Sequence, residues 1–240
     1  MLTKEQLFLI QNKFQTTPEN MYREYSQHLF LSYLYRTRGS ENVFFKGGTA
    51  YRIAFKSPRF SEDLDFSASQ IDFGQTEKMI LSVLKDLSDS GINCTVEESK
   101  PTTGGYLAKM FVEIIGKKAL ISIQISSREK GQNTYEAVDI INEYIPTYQV
   151  LLLPKRIMIG EKIQAALTRS KPRDFYDIYF LLKNGLLTVT EKDKLIKVKE
   201  ILIKKKIKFA DELSHFLPAS VKLLANSFPK PLLSEIDKFF

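Results

Sequence analysis

The sequence predicts an α+β domain over residues 1–150 and a basic helical domain over residues 151–240. Three observations carry this. In the first 150 residues, strand-length apolar runs are interleaved with helix-length periodic stretches. Past Leu151-Leu152-Leu153-Pro154 the apolar spacing is helical almost to the end. Charge divides at the same border, with 17 Lys and Arg against 18 Asp and Glu before it and 18 against 10 after it.

Each element has a local reason. Thr3-Lys4-Glu5-Gln6 has the pattern of a capping box and predicts a first helix. Thr17-Pro18-Glu19 repeats the start signal, with proline where a missing N–H costs nothing. The helix it opens runs to Tyr35, with Tyr22, Tyr25, Leu29, Ser32 and Tyr33 along one side. Val43-Phe44-Phe45 reads as a short buried strand ending at the Gly47-Gly48 turn. A helix over 49–55 and a strand over 63–67 follow. Met79, Ile80, Val83, Leu84 and Leu87 predict a helix over 76–89, closed by Gly91. Strand-like runs cover 93–96, 106–115 and 119–126, with Thr102-Thr103-Gly104-Gly105 as a loop and Gly116-Lys117-Lys118 as a hairpin loop. Beyond the border, helices are predicted over 155–169, 173–183, 191–206, 209–216, 219–226 and 231–239. Pro172, Gly185, Pro218, Pro229 and Pro231 punctuate them.

Composition narrows the function classes. With 240 residues, 43% hydrophobic and 26% charged, the chain has an ordinary globular profile. No apolar run is long enough to span a bilayer. The opening residues are interrupted by acidic and polar side chains, unlike a signal peptide. A single cysteine, Cys94, excludes an internal disulfide framework and a cysteine-based zinc site. His28 and His215 are the only histidines and stand in no ligand-spaced cluster, so neither a zinc site nor a histidine triad is expected. The expectation is a cytoplasmic protein without a membrane partner. The basic C-terminal excess has two readings: a surface that attracts a polyanion such as RNA, or solvated lysines that keep a helical domain soluble.

Chemistry concentrates in two places. The first is Lys46-Gly47-Gly48-Thr49-Ala50 followed by Arg59-Phe60-Ser61-Glu62-Asp63-Leu64-Asp65-Phe66. Glycines let a backbone approach phosphates closely. The period of two in a strand points Asp63 and Asp65 to one side. Two hard oxygen ligands beside a phosphate cradle suit Mg²⁺. Arg59 could neutralise a triphosphate and Ser61 could hydrogen-bond a phosphate oxygen; an Arg59–Glu62 surface pair is the plain alternative. The Gly-x-x-x-x-Gly-Lys-[Ser/Thr] pattern is absent, which excludes a P-loop.

The second place is Glu161-Lys162-Ile163-Gln164-Ala165-Ala166 and then Lys171-Pro172-Arg173-Asp174-Phe175-Tyr176-Asp177. Lys162, Ala165, Ala166 and Arg169 share a helix face. Asp174 and Asp177 fall on one side of the first turn of the next helix. They are either partners of the helix dipole or residues of a site.

Together these stretches resemble the AbiEii/AbiGii toxin family of nucleotidyltransferases, over roughly residues 40–185. The resemblance implies a polymerase-β-like core, built on a mixed sheet with flanking helices, followed by a helical bundle. It implies a toxin of a bacterial toxin–antitoxin or abortive-infection system, with NTP as substrate, Mg²⁺ or Mn²⁺ as cofactor, an antitoxin as partner, and in some members tRNA 3′ ends as acceptor. Carried onto this chain, the catalytic set is Asp63, Asp65, Lys162 and Asp174, with Asp63 and Asp65 as metal ligands. The nucleotide-binding set is Lys46, Gly47, Gly48, Thr49, Arg59, Ser61, Arg173 and Asp177. One departure stands out. Where the family places a third carboxylate on a later strand, this chain has Gln124, within Ile121-Ser122-Ile123-Gln124-Ile125. Glu113, on the neighbouring strand, is a candidate stand-in, and Asp174 a candidate base.

The reading is therefore a Mg²⁺-dependent transferase of nucleoside monophosphate. Two others stand beside it: a nucleotide-binding protein with little or no transferase activity, supported by Gln124, and a basic helical module that holds a partner.

Overall fold

The computed structural model describes residues 1–69, 72–128, 134–187, 191–238 and 240. The chain forms two compact units. One comprises Met1–Lys56 and Phe60–Pro154; the other comprises Ser57–Arg59 and Lys155–Phe240.

The first unit is built on a seven-stranded mixed sheet in the order β3-β4-β5-β2-β1-β7-β6. Its strands are β1 (Val43–Lys46), β2 (Asp63–Ser69), β3 (Asn93–Thr102), β4 (Gly105–Ile114), β5 (Lys117–Arg128), β6 (Glu136–Ile140) and β7 (Tyr148–Leu152). β2 runs antiparallel to β1 and parallel to β5. The helices are α1 (Lys4–Phe14), α2 (Pro18–Leu34), α3 (Gly47–Ile53) and α4 (Phe73–Asp89). Thr3 caps α1 in a full capping box with Gln6, and Thr17 caps α2 ahead of Pro18. α4 starts three residues before the periodic run predicts, because Asp72 and Gln75 form a capping box of their own.

Alternation along the strands decides which face is covered. In β4 every second residue is buried, from Tyr106 through Ala108, Met110 and Val112 to Ile114. Ile121, Ile123 and Ile125 of β5 and Leu64 and Phe66 of β2 continue that face. It packs against α2, and at the β3–β4 end against α4 as well. Phe45 and Phe66 meet across β1 and β2 with ring centroids 5.4 Å apart. Each fully buried side chain of this kind contributes roughly 1.5–3 kcal/mol. The opposite face of β2, β4 and β5 carries polar residues and stays partly open.

Two strands were not expected from the sequence. β6 and β7 form an antiparallel hairpin, and β7 joins β1 in parallel at Phe45 and Leu152. The run at 151–154 is therefore the end of a sheet strand as well as a border.

The second unit is helical: α5 (Lys155–Arg169), α6 (Pro172–Lys183), α7 (Lys192–Lys204), α8 (Phe209–Phe216), α9 (Lys222–Ser227) and α10 (Lys230–Asp237). The stretch expected as one helix over 219–226 is a 3₁₀ turn, Ala219–Val221, followed by α9. Residue 239, the end expected for the last helix, lies outside the described residues. α6 is the central helix, touching α5, α8 and α10.

Candidate active site

Asp63 and Asp65 lie on β2 with Leu64 and Phe66 buried between and beyond them, so both carboxylates belong to the open face. Both are half-buried, neither sealed in the core nor fully in solvent. Their backbone is pinned from three directions. Gln27, almost fully buried on α2, donates through Nε2 to the carbonyls of Ser61 (3.0 Å) and Glu62 (2.9 Å). The Thr49 hydroxyl donates to the Asp63 carbonyl. In register, Lys46 of β1 and Gln124 of β5 flank Asp65.

The Gly47-Gly48 turn is packed against this pair. Gly47 has φ +81°, a conformation that L side chains rarely adopt. A Cβ placed on it would stand 2.2 Å from Asp65 Oδ2. Only glycine leaves that carboxylate oxygen its place. α3 begins at Gly47, so the Asp65 carboxylate lies against the backbone of the helix start, where N–H groups point outward and the dipole favours negative charge. Gly48 is buried in the first turn of α3, Lys46 is its N-cap residue and Ser61 is half-buried.

Gln124 occupies the register position beside Asp65, where the sequence comparison of motifs placed it. Being paired in register, Asp65 and Gln124 share the open face, and Gln124 is exposed there. It helps line a recess of about 220 Å³ with Leu107, Tyr106 and the Thr103-Gly104 turn. Glu113 cannot stand in for it. Glu113 pairs with Lys118, whereas Gln124 pairs with Leu107, six residues away on β4. At about 3.4 Å per residue that is ~20 Å. Lys109 pairs with Ser122, itself opposite Asp63, and places on this face a cation that no motif announces, paired with Glu98 at 2.9 Å.

The second constellation forms a dense buried ion network within the second unit. Arg59 makes a two-pronged contact with Asp177, Nε to Oδ1 at 2.8 Å and Nη2 to Oδ2 at 2.9 Å. Lys162 Nζ sits 2.9 Å from Asp177 and 3.1 Å from Asp174. Arg169 closes the set on Asp174 with contacts of 2.7 and 2.8 Å. Arg59, Lys162, Asp174 and Asp177 are 2%, 8%, 0% and 1% exposed. Burial alone would raise the pKa of both aspartates. The hydrogen bonds and charges of Arg169 and Lys162 outweigh it for Asp174, and the charges of Arg59 and Lys162 for Asp177, so both stay below the ordinary value. A carboxylate held this way is a weak proton acceptor. Arg173 is half-buried and lies 3.6 Å from Glu212.

The structure thus brings Lys46, Gly47, Gly48, Thr49, Ser61, Asp63 and Asp65 together in the first unit, and Arg59, Lys162, Asp174 and Asp177 together in the second. Besides Lys109, Gln27 is a residue that sequence reasoning missed. Its signal was a polar side chain amid the buried side of α2, which amphipathic spacing alone does not interpret.

The donor chemistry fits a divalent cation. Among the described residues no group of three or more His, Cys, Asp and Glu side chains is gathered for a metal. Mg²⁺, however, is commonly held by one or two carboxylates, its other positions filled by water and substrate phosphates. Two same-face aspartates, one of them seated where a Gly47 Cβ would collide, meet that requirement.

The family model for the nucleotidyl transferase AbiEii toxin of type IV toxin–antitoxin systems matches residues 29–234. Two solved structures from Helicobacter pylori share the fold. A presumed nucleotidyltransferase is 19% identical, with a TM-score of 0.61 over 93% of this chain and 95% of that one. JHP933 is 18% identical, with a TM-score of 0.60 over 93% of each chain. No curated protein matches the sequence.

Proposed function

Because the chain belongs to the AbiEii nucleotidyl transferase toxin family, we propose that it transfers a nucleoside monophosphate from an NTP to an RNA hydroxyl, with the tRNA 3′ end as the acceptor to test first. The observation that supports this is the pair Asp63 and Asp65, half-exposed on one face of β2 and packed against the Gly47 turn.

In this reading the backbone of Gly47 and Gly48, with the Ser61 hydroxyl and Lys46, holds the β- and γ-phosphates. Asp63 and Asp65 orient the nucleotide through Mg²⁺ or Mn²⁺. When bound, the cation would supply Lewis acidity at the α-phosphate and neutralise charge on the departing pyrophosphate. Thr49 and Gln27 keep the carboxylates in place. In the second unit Lys162 and Arg59 neutralise the buried Asp174 and Asp177, and Arg173 is a half-buried cation of the same unit. Asp174, fully buried and engaged by Arg169 and Lys162, holds Lys162 in place, and its lowered pKa makes it a poor base. Asp177 holds Arg59 and Lys162. A neighbouring antitoxin is the expected partner of such a toxin.

The test is incorporation of labelled NTPs into total tRNA with Mg²⁺. Wild type should label RNA, and Asp63→Ala should lose at least ~100-fold while melting at the same temperature. Full activity in Asp63→Ala overturns the assignment. Gln124 favours a second reading, a nucleotide-binding protein that transfers little. NTP binding without incorporation, in wild type and in Gln124→Asp alike, would establish that instead.

A further inference from the structure

We propose that a cavity of about 520 Å³ in the first unit binds a small planar aromatic monoanion, at a place separate from Asp63 and Asp65. Its walls are Phe14 of α1, Glu24 and His28 of α2, Arg52 and Lys56 at and beyond the end of α3, and Tyr144 of the β6–β7 connection. α3 separates it from the Asp65 carboxylate, which lies at that helix's other end. The volume is that of a small-molecule pocket.

Three features define the occupant. First, the walls offer flat apolar surface. Tyr144 touches Phe14 and His28, with ring centroids 6.3 and 5.3 Å apart, and is stacked on Tyr25, while Arg52 lies over the Phe14 ring, so the rings form one continuous wall rather than a slot between two. Second, the charges leave one cation over. Glu24 is engaged by Arg52 at 2.6 Å and by the Tyr144 hydroxyl at 2.9 Å. Glu143, also in the lining, is paired with Lys13 at 2.7 Å. Lys56 Nζ meets a neutral acceptor, the Ile141 carbonyl at 2.7 Å, and no carboxylate pairs with it among the described residues. Its backbone is held at φ +61°, a left-handed conformation that costs a non-glycine residue roughly 1–2 kcal/mol and is retained where the surroundings require it. Third, His28 is 3% exposed and bonds the Tyr148 hydroxyl through Nδ1 at 2.8 Å. Among the described residues no group hydrogen-bonds its Nε2, and the ring is part of the cavity wall. A ring that lies against this wall, carries one acidic group for Lys56 and presents a polar edge to His28 answers all three.

The inference does not depend on the proposed transferase reaction. It can be read on the full-length protein with 2-naphthoate as probe. The chain has only two histidines, so their imidazole NMR signals report position directly. Titration should shift His28 saturably and leave His215 unmoved, and excess Mg-ATP should not reverse the shift. Lys56→Gln changes an exposed side chain and should retain the fold while weakening binding at least about fivefold. Phe14→Ala should weaken it similarly, and the neutral analogue 2-naphthalenemethanol should bind correspondingly worse than the acid. The proposal is overturned if His28 does not move by about 5 mM probe, the weak end of specific binding. It is equally overturned if Mg-ATP displaces the probe, or if Lys56→Gln and the neutral analogue bind as well as wild type and acid.

Discussion

Gly47 shows how one missing methyl group can set a site. Alanine there would have to hold φ +81° and push aside Asp65 Oδ2. The backbone term alone is roughly 1–2 kcal/mol. Gly47→Ala should therefore cost a modest drop in melting temperature and a much larger drop in nucleotide incorporation, since the displaced atom is a proposed metal ligand. Equal proportional losses would mean that the turn serves the fold only. Lys162 poses the opposite case, a charge already paired. Lys162→Met leaves Asp174 and Asp177 short of a cation, and breaking such a buried pair costs about 3–5 kcal/mol. Thermal unfolding measures that loss. Transfer lost beyond the unfolded fraction, at a temperature where the variant is still folded, measures any further role. His28 makes the third residue-level forecast. Burial, with the charges of Lys56 and Arg52 adding to it against Glu24, holds its pKa down to about 4 from 6.5. The unfolded chain therefore takes up a proton as pH falls through 6.5, and the folded one only near 4. Stability is full above 6.5 and declines toward 4, by up to about 1.4 kcal/mol per pH unit. Denaturant melts at pH 7.5, 5.5 and 4.5 should show that slope, and His28→Gln should flatten it.

At the scale of elements, β2 matters because its two faces do different work. Leu64 and Phe66 fasten it to the core, which orients Asp63 and Asp65 outward without any interaction of their own. That the two aspartates share a side was legible in the sequence, because a period of two is a local property. Helix starts with caps were legible for the same reason, as Thr3 and Thr17 show. β6 and β7 were not. Tyr148, Val150 and Leu152 do alternate inward, but the run is five residues long and its partner β1 lies a hundred positions earlier. The hairpin between β4 and β5 was placed one residue late. The turn is Ile115-Gly116, both with positive φ (51° and 71°), the backbone of a type I′ turn. A β-branched residue is strained there, and Ile115 is only half-buried. Ile115→Asn should raise stability by about 1 kcal/mol, seen as an upward shift in melting temperature of a few degrees. A fall would show that the apolar contacts of Ile115 outweigh its backbone strain.

At the scale of the whole molecule, the net charge of +7 gathers in the helical third of the sequence. If that third receives RNA, as the proposed function asks, binding should be dominated by phosphate contacts. Affinity for tRNA should then fall at least about tenfold between 50 and 200 mM salt, measurable by filter binding. Affinity flat over that range would leave the lysines as solvated surface and remove RNA contact from their role. No helix among the described residues is long and apolar enough to cross a membrane.

By itself the sequence determined the α+β class, the helical character of residues 155 onward, the family, and that the two aspartates share one side of a strand. The family follows from the resemblance of its motifs; the rest follow from near-neighbour spacing, where the backbone repeat does the geometry. Only the tertiary structure decided that Gln124 stands beside Asp65 while Glu113 does not, because strand register depends on pairing between distant segments. It alone decided that Arg59 reaches Asp177, 118 residues further along the chain, and that Gln27 holds the approach to Asp63. Hydrogen bonds and ion pairs of that kind have no periodicity to read. They exist only once the chain has brought the two groups within about 3 Å.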